Sequence, residues 1–301
     1  MDGVPAAGRR GIVPGGGARR DEGSDRVAME LVHLPGTRGT APDLDEATEA
    51  TLVCLLGRFR LLHGGQSLDA LIAGKAMTLL ATLGLHLETG VPRDTLLELL
   101  WPDQDDEHSA VSLHSLIYSL HCRLRRVRPD AATIVFANGS YALNTAAGVS
   151  TDIARFDALV GEGNRRAAAR QDAAAAACYG RALELYRGDL ATGSDVAAVI
   201  ERERLRASFL TILAWLADRT YREADYTATL VHAARLLAYD PCREDAHRLV
   251  MRAHVRRGER AQALRQYRLC EDVLEREFEA VPEAATTALF DQIRCDPGGV
   301  G

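Results

Sequence analysis

Lysine is almost missing from this chain of 301 residues: Lys75 stands alone among 36 basic side chains, and arginine supplies the rest. The planar, always-charged guanidinium suits contacts to phosphate, although codon bias in a GC-rich genome accounts for the same preference. Also missing is any apolar run of the roughly 18 residues that a membrane helix requires. The opening stretch MDGVPAAGRRGIVPGGGARRDEG holds arginine and glycine but no apolar segment of signal-peptide length. A cytoplasmic protein without a membrane partner is the expectation. The cysteines, Cys54, Cys122, Cys178, Cys242, Cys270 and Cys295, are scattered with no CxxC pair. That spacing excludes a zinc ribbon and speaks against a disulfide framework.

The marks of an enzyme are missing too. AGKAMT comes nearest to a phosphate loop, but Asp69 stands where the loop needs its first glycine, and Ala76 where Ser or Thr would bind magnesium. Neither HExxH nor GxSxG occurs. His114 and His121 share a helix face yet lie about 10 Å apart along it, too far to ligate one zinc ion. They read as surface or groove-facing side chains. Asn138-Gly139-Ser140 matches a glycosylation acceptor and, without a secretory signal, means only a turn. The chain is read as a non-enzyme with no cofactor and no metal.

What is present is a chain with 47% hydrophobic residues, enough to bury a core and to fill two domains. The net charge of −6 speaks against wholesale nucleic-acid binding but not against a local patch. Residues 1 to 50 mix Gly, Pro, Arg and Asp without periodicity and read as a disordered N-terminal tail. From Thr51, TLVCLLGRFRLLHGGQSL reads as two short strands around a His63-Gly64-Gly65 turn. Helical spacing follows, with Met77, Leu80, Leu83 and Leu87 assigned to one face. A second helix starts at Pro92 with Asp94 as cap, ahead of Leu96, Leu97, Leu100 and Trp101.

A third helix, expected from Asp106 to Val127, places Leu113, Leu116, Ile117, Leu120, Leu124 and Val127 on its core face. Its opposite face carries Ser115, Tyr118, Ser119, Cys122, Arg125 and Arg126. Asn138-Gly139 between apolar runs then predicts a hairpin. This order of strands, helices and closing hairpin is that of a winged helix. Arginines at the end of the third helix and acids at its start also satisfy the helix dipole, so charge alone leaves both readings open.

Beyond Thr151 the pattern is helical. Segments starting at Asp225 and Gly258 align at an offset of 33, near the period of about 34 of a tetratricopeptide helix pair, and RQDAAAAACYGRALELYRGD resembles the second helix of such a pair. A plain alanine-rich bundle is the alternative. The fold class is therefore mainly α: a winged-helix domain over 51–148 and a tetratricopeptide-like helical domain over 149–295.

From Leu55 to Arg294 the chain resembles the SARP-type bacterial activators, which join a response-regulator-type winged helix to a bacterial transcriptional activator domain. LLGRFRL, AGKAMTLLATLGLH, VPRDTLLELLWPD, SLHSLIYSLHCRLRR and TDIARFDALV carry the resemblance. So do LYRGDL and the run from Asp240 to Ile293. It implies that the exposed face of Ser112 to Arg126 enters the major groove of double-stranded DNA. The candidate DNA-binding residues are then Lys75, His114, Ser115, Tyr118, Ser119, Cys122, Arg125, Arg126 and, at the wing tip, Asn138. The helical domain would contact RNA polymerase or other regulatory proteins, and a homodimer on DNA is a further expectation. Where many members carry mid-helix arginines, this chain has Ser119, His121 and Cys122, and its wing tip lacks a basic residue. A protein-interaction scaffold whose winged helix has lost DNA is the rival reading.

Overall fold

The computed structural model describes residues 50–104, 106–125, 127, 132–190 and 196–299. All lie in one compact unit. The expected N-terminal tail, up to position 49, and Arg126 lie outside the described residues.

Strands β1 (Thr51–Cys54), β2 (Arg60–His63) and β3 (Gln66–Ser67) open the fold, so the HGG turn joins β2 to β3 and a third strand precedes them. Helix α1 (Lys75–Leu85) follows, then β4 (Val91–Pro92), α2 (Arg93–Leu100), α3 (Asp106–Leu124), β5 (Ile134–Ala137), β6 (Ser140–Leu143) and β7 (Val149–Thr151). The sheets run β3-β2-β1-β7 and β4-β6-β5. Strand β7 pairs parallel to β1, with Thr51 opposite Val149 and Val53 opposite Thr151. Where that ladder ends, the buried carboxylate of Asp152 continues it, accepting from the N–H groups of Leu55 at 2.7 Å and Leu56 at 3.0 Å. Burial holds this carboxyl above the usual aspartate range, while the two N–H groups oppose that shift.

Two details of the sequence reading need correction. Helix α1 buries Ala76, Leu79, Leu80 and Leu83, and turns Met77 outward, because Gly84 must face Leu55 and Val53 of the sheet. Helix α2 begins after Pro92, and Asp94 is an exposed first-turn residue rather than its cap.

The helical half comprises α4 (Asp152–Ala168), α5 (Asp172–Leu185), α6 (Val196–Arg222), α7 (Tyr226–Tyr239), α8 (Glu244–Arg256), α9 (Arg260–Phe278) and α10 (Ala284–Cys295). Helices α4 and α5, α6 and α7, and α8 and α9 pack as hairpins built on one turn. Arg170, Ala224 and Gly258 all adopt positive φ, at 59°, 60° and 76°. The next N–H, of Gln171, Asp225 or Glu259, donates to the carbonyl of Arg166, Thr220 or His254 at 2.9, 2.9 and 2.8 Å. This satisfies carbonyls that a helix end leaves unpaired.

The second helices share an interior pattern: Ala175, Tyr179 and Ala182 in α5, Thr229, Ala233 and Leu236 in α7, and Ala263, Tyr267 and Cys270 in α9 are all buried. Between α7 and α9 these positions differ by 34, not the 33 of the sequence alignment, which set exposed Ala234 against buried Tyr267. Arginine closes helix ends between neighbours. Arg235 donates to the Leu183 and Tyr186 carbonyls, Arg206 to Tyr239, and Arg260 to Ile293 and Arg294. A flat fork can serve two carbonyls at once, which an ammonium on a flexible stem does less well.

Candidate nucleic-acid interface

Helix α3 is amphipathic in the expected sense. Leu113, Ile117, Leu120 and Leu124 are buried against α1 and α2. Its helical residues stop at Leu124, short of the expected Val127. On the outer side Ser115, Cys122 and Arg125 are exposed, Ser119 is half-buried, and Tyr118 is 71% exposed. A tyrosine that open, on a helix whose other side is fully packed, is available for contact rather than for the core.

The hairpin forms beside it as predicted. Ala137 pairs with Ser140 across Asn138-Gly139, and both turn residues have positive φ, 53° and 77°, as a two-residue hairpin turn demands. Strand β4 adds the third strand, and Arg93 N–H donates to the Gly139 carbonyl at 3.1 Å, tying the start of α2 to the wing tip. The sequence reading missed this role of Arg93; its position directly after a strand was the available signal.

His121 does not face the groove. Its Nε2 accepts the Ile134 N–H at 3.2 Å, an edge-strand donor with no ladder partner on that side. Burial, and then the charge of Arg125, lower its pKa below the ordinary imidazole value. Neutral His121 is the form that can accept this bond, and it couples α3 to the wing. The other expected residues scatter. His114 is exposed and its Nδ1 lies 3.2 Å from the Ala110 carbonyl, within its own helix. Lys75 places Nζ 4.4 Å from the centroid of the Trp101 ring, a cation–π contact at the start of α1. Asn138 is exposed at the wing tip. Arg123 is drawn aside, its Nη1 donating to the Leu71 carbonyl at 3.1 Å, and with Ala70, Leu71, Ser119 and Cys122 it lines a surface depression. The arrangement brings Ser115, Tyr118, Cys122 and Arg125 to one open face and gives Lys75 and Asn138 to its surroundings.

The charge of this region is uneven, since residues 131–151, which include the whole wing, contain no charged side chain. Among the described residues no cluster of His, Cys, Asp and Glu is arranged to hold a metal ion, and no helix is long and apolar enough to cross a membrane.

Known proteins resemble this chain in sequence and in fold. Residues 151–294 match the bacterial transcriptional activator domain. The regulatory protein DnrI of Streptomyces peucetius is 27% identical over 253 residues, covering 81% of this chain and 92% of DnrI. The chain is similar to the SARP-type transcriptional activators. A second SARP-type relative, the regulatory protein AfsR of Streptomyces coelicolor, is 26% identical over 258 residues, and this chain spans 25% of its length. The solved structure of Mycobacterium tuberculosis EmbR in complex with a low-affinity phosphopeptide superposes with a TM-score of 0.61 at 19% identity. That match covers 82% of this chain and 65% of the EmbR chain, a likeness of fold. That likeness fits a winged helix followed by repeated helical hairpins.

Proposed function

We propose that this activator binds double-stranded DNA through residues 51–148, with the exposed face of α3 in the major groove, and recruits RNA polymerase or another regulatory protein through residues 149–295. The observation that carries the reading is the open face of Ser115, Tyr118, Cys122 and Arg125 beside a wing held to α3 by His121. A reading helix needs polar groups for base edges and a basic group for phosphate, and this face has both. The protein acts without catalysis, in the cytoplasm.

The second reading, a protein-interaction scaffold that has given up DNA, draws on the uncharged stretch 131–151, because a wing without a cation has no phosphate anchor. Selection of bound DNA from a random pool, followed by a salt titration, separates the two. Neutralising about four phosphates gives a slope of log affinity against log salt of about −3.6, roughly a 150-fold loss for a fourfold rise in salt. Failure to enrich any sequence, or a flat response to salt, favours the scaffold.

A further inference from the structure

The surface depression on the flank of α3 has two walls, each fixed by its own local chemistry. One wall is helical: Ser119, Cys122 and Arg123 stand at i, i+3 and i+4 and form one patch beside the buried Leu120 and Leu124. The other is the single 3-10 turn Asp69–Leu71, which presents Ala70 and Leu71. That turn is held to β2 through Leu61, whose carbonyl accepts the Leu68 N–H at 2.7 Å and whose N–H donates to the Asp69 carboxylate at 2.7 Å. Leu68 before the turn and Ile72 after it are buried. Arg123 ties the two walls together, its Nη1 donating to the Leu71 carbonyl at 3.1 Å. The recess between them has a volume of about 360 Å³, near the lower limit for a small-molecule site.

The lining selects among ligands. Ala70 and Leu71 offer apolar surface, Ser119 a hydroxyl that can donate or accept, and Arg123 the charge; none of the lining residues is acidic. The bond to Leu71 uses Nη1, and a guanidinium carries five N–H donors, so a second acceptor can bind the same fork. A carboxylate matches that fork better than a single oxygen does. One guanidinium, one hydroxyl and an apolar wall therefore suit a single negative charge on an apolar body. A polyphosphate calls for more than one cation, and a metal ion for more ligands than the Cys122 thiol.

We propose that this recess binds a small organic carboxylate with an apolar body: the Arg123 guanidinium and the Ser119 hydroxyl take the carboxylate, and Ala70 and Leu71 take the apolar part. Cys122 also belongs to the open face proposed for DNA, and Ser119 borders it, so an occupant of the recess competes with the duplex. The competition is reciprocal, DNA weakening the carboxylate by the factor by which the carboxylate weakens DNA. This competition rests on the proposed function of α3, whereas carboxylate binding does not.

Cys122 reports on the recess that it lines. The test is alkylation of the full chain by iodoacetamide, read by mass spectrometry at Cys122 and at Cys295, which is also exposed, with benzoate as the probe and benzamide and inorganic phosphate as controls. Benzoate at about ten times its Kd should slow labelling of Cys122 about tenfold and leave Cys295 unchanged, and neither control should do so. Arg123→Gln should lose the protection, and so should Ala70→Trp, which fills the recess from an exposed position without changing Arg123. Arg125→Gln, outside the recess, should keep it, with circular dichroism to establish that each variant is folded. In a second arm, benzoate should weaken binding of a selected DNA site to the parent and not to Ala70→Trp. Carboxylate binding is overturned if benzoate leaves Cys122 labelling unchanged, if benzamide or phosphate protects as well as benzoate, or if protection persists in both Arg123→Gln and Ala70→Trp. Protection with unchanged DNA affinity overturns the competition alone. A parent that binds no DNA overturns the reading of α3, and the competition with it, while the labelling still decides carboxylate binding.

Discussion

Single residues carry measurable consequences here. Gly258 adopts a φ of 76° in the turn before α9, and a Cβ added to it meets nothing within 4 Å, so Gly258→Ala carries the cost of left-handed backbone and little else. That cost is about 1 kcal/mol of unfolding free energy, readable in urea denaturation. Ala224 occupies the matching turn at a φ of 60°, and Ala224→Gly should move stability in the opposite direction by a smaller amount, since glycine also loosens the unfolded chain. Gly163 is different in kind. A side chain there would overlap the Tyr179 ring, which stands against α4, so Gly163→Ala should cost about 1–3 kcal/mol through overpacking. The histidines respond to pH. His247 is buried, with Nε2 2.8 Å from the Pro241 carbonyl and Nδ1 2.8 Å from Gln266, and burial lowers its pKa as it does for His232 and His121. A folded pKa below the unfolded value means that the unfolded chain takes up protons first. Stability is therefore full above about pH 6.5 and falls as pH drops below it. Tm measured between pH 7.5 and 5.5 should fall, and should fall less in His247→Gln; an unchanged slope in that variant removes His247 from the account.

At the scale of elements, what could be read from the sequence divides by how local its cause is. The inward face of α3 was legible because Leu113, Ile117, Leu120 and Leu124 repeat at the helical period, and the hairpin because Asn138-Gly139 tolerates positive φ. The face of α1 was misjudged at Met77: periodicity gives a stripe, but the direction of the stripe depends on the sheet that Gly84 touches. Strand β7 could not be foreseen from a local pattern. It has only three residues, and its partner β1 lies nearly a hundred positions earlier in the chain. The repeat was legible as a period but not in register, since Ala and Leu occur on both faces of α7 and only burial selects Thr229, Ala233 and Leu236. Of the proposed DNA-binding residues, Ser115, Tyr118, Cys122 and Arg125 share an open face as the helix period required. The engagement of Lys75 with Trp101, and of His121 with the wing, arises from tertiary contacts that spacing does not encode.

Across the whole molecule, a buried carboxylate joins the winged helix to the helical half beside the Gly57–Asp189 backbone hydrogen bond and a shared core. Asp152→Ala would strand the N–H groups of Leu55 and Leu56, at a cost of about 3 kcal/mol, while Asp152→Asn keeps one acceptor and should lose less; chemical denaturation of both variants checks the order. This joint holds the activator domain against the sheet that supports α1, on which α3 packs, so the surface proposed to recruit a partner keeps its place relative to the helix proposed to read DNA. The most direct test of that proposal is the affinity of the parent and of Tyr118→Ala for a selected DNA site and a scrambled one, with circular dichroism to establish folding. Tyr118 is 71% exposed and points away from the core, so the variant should fold, keep its binding to the scrambled DNA, and lose about 1–3 kcal/mol of preference for the selected site. A folded Tyr118→Ala protein that discriminates between the two DNAs as well as the parent does would contradict the assignment of this face to base reading.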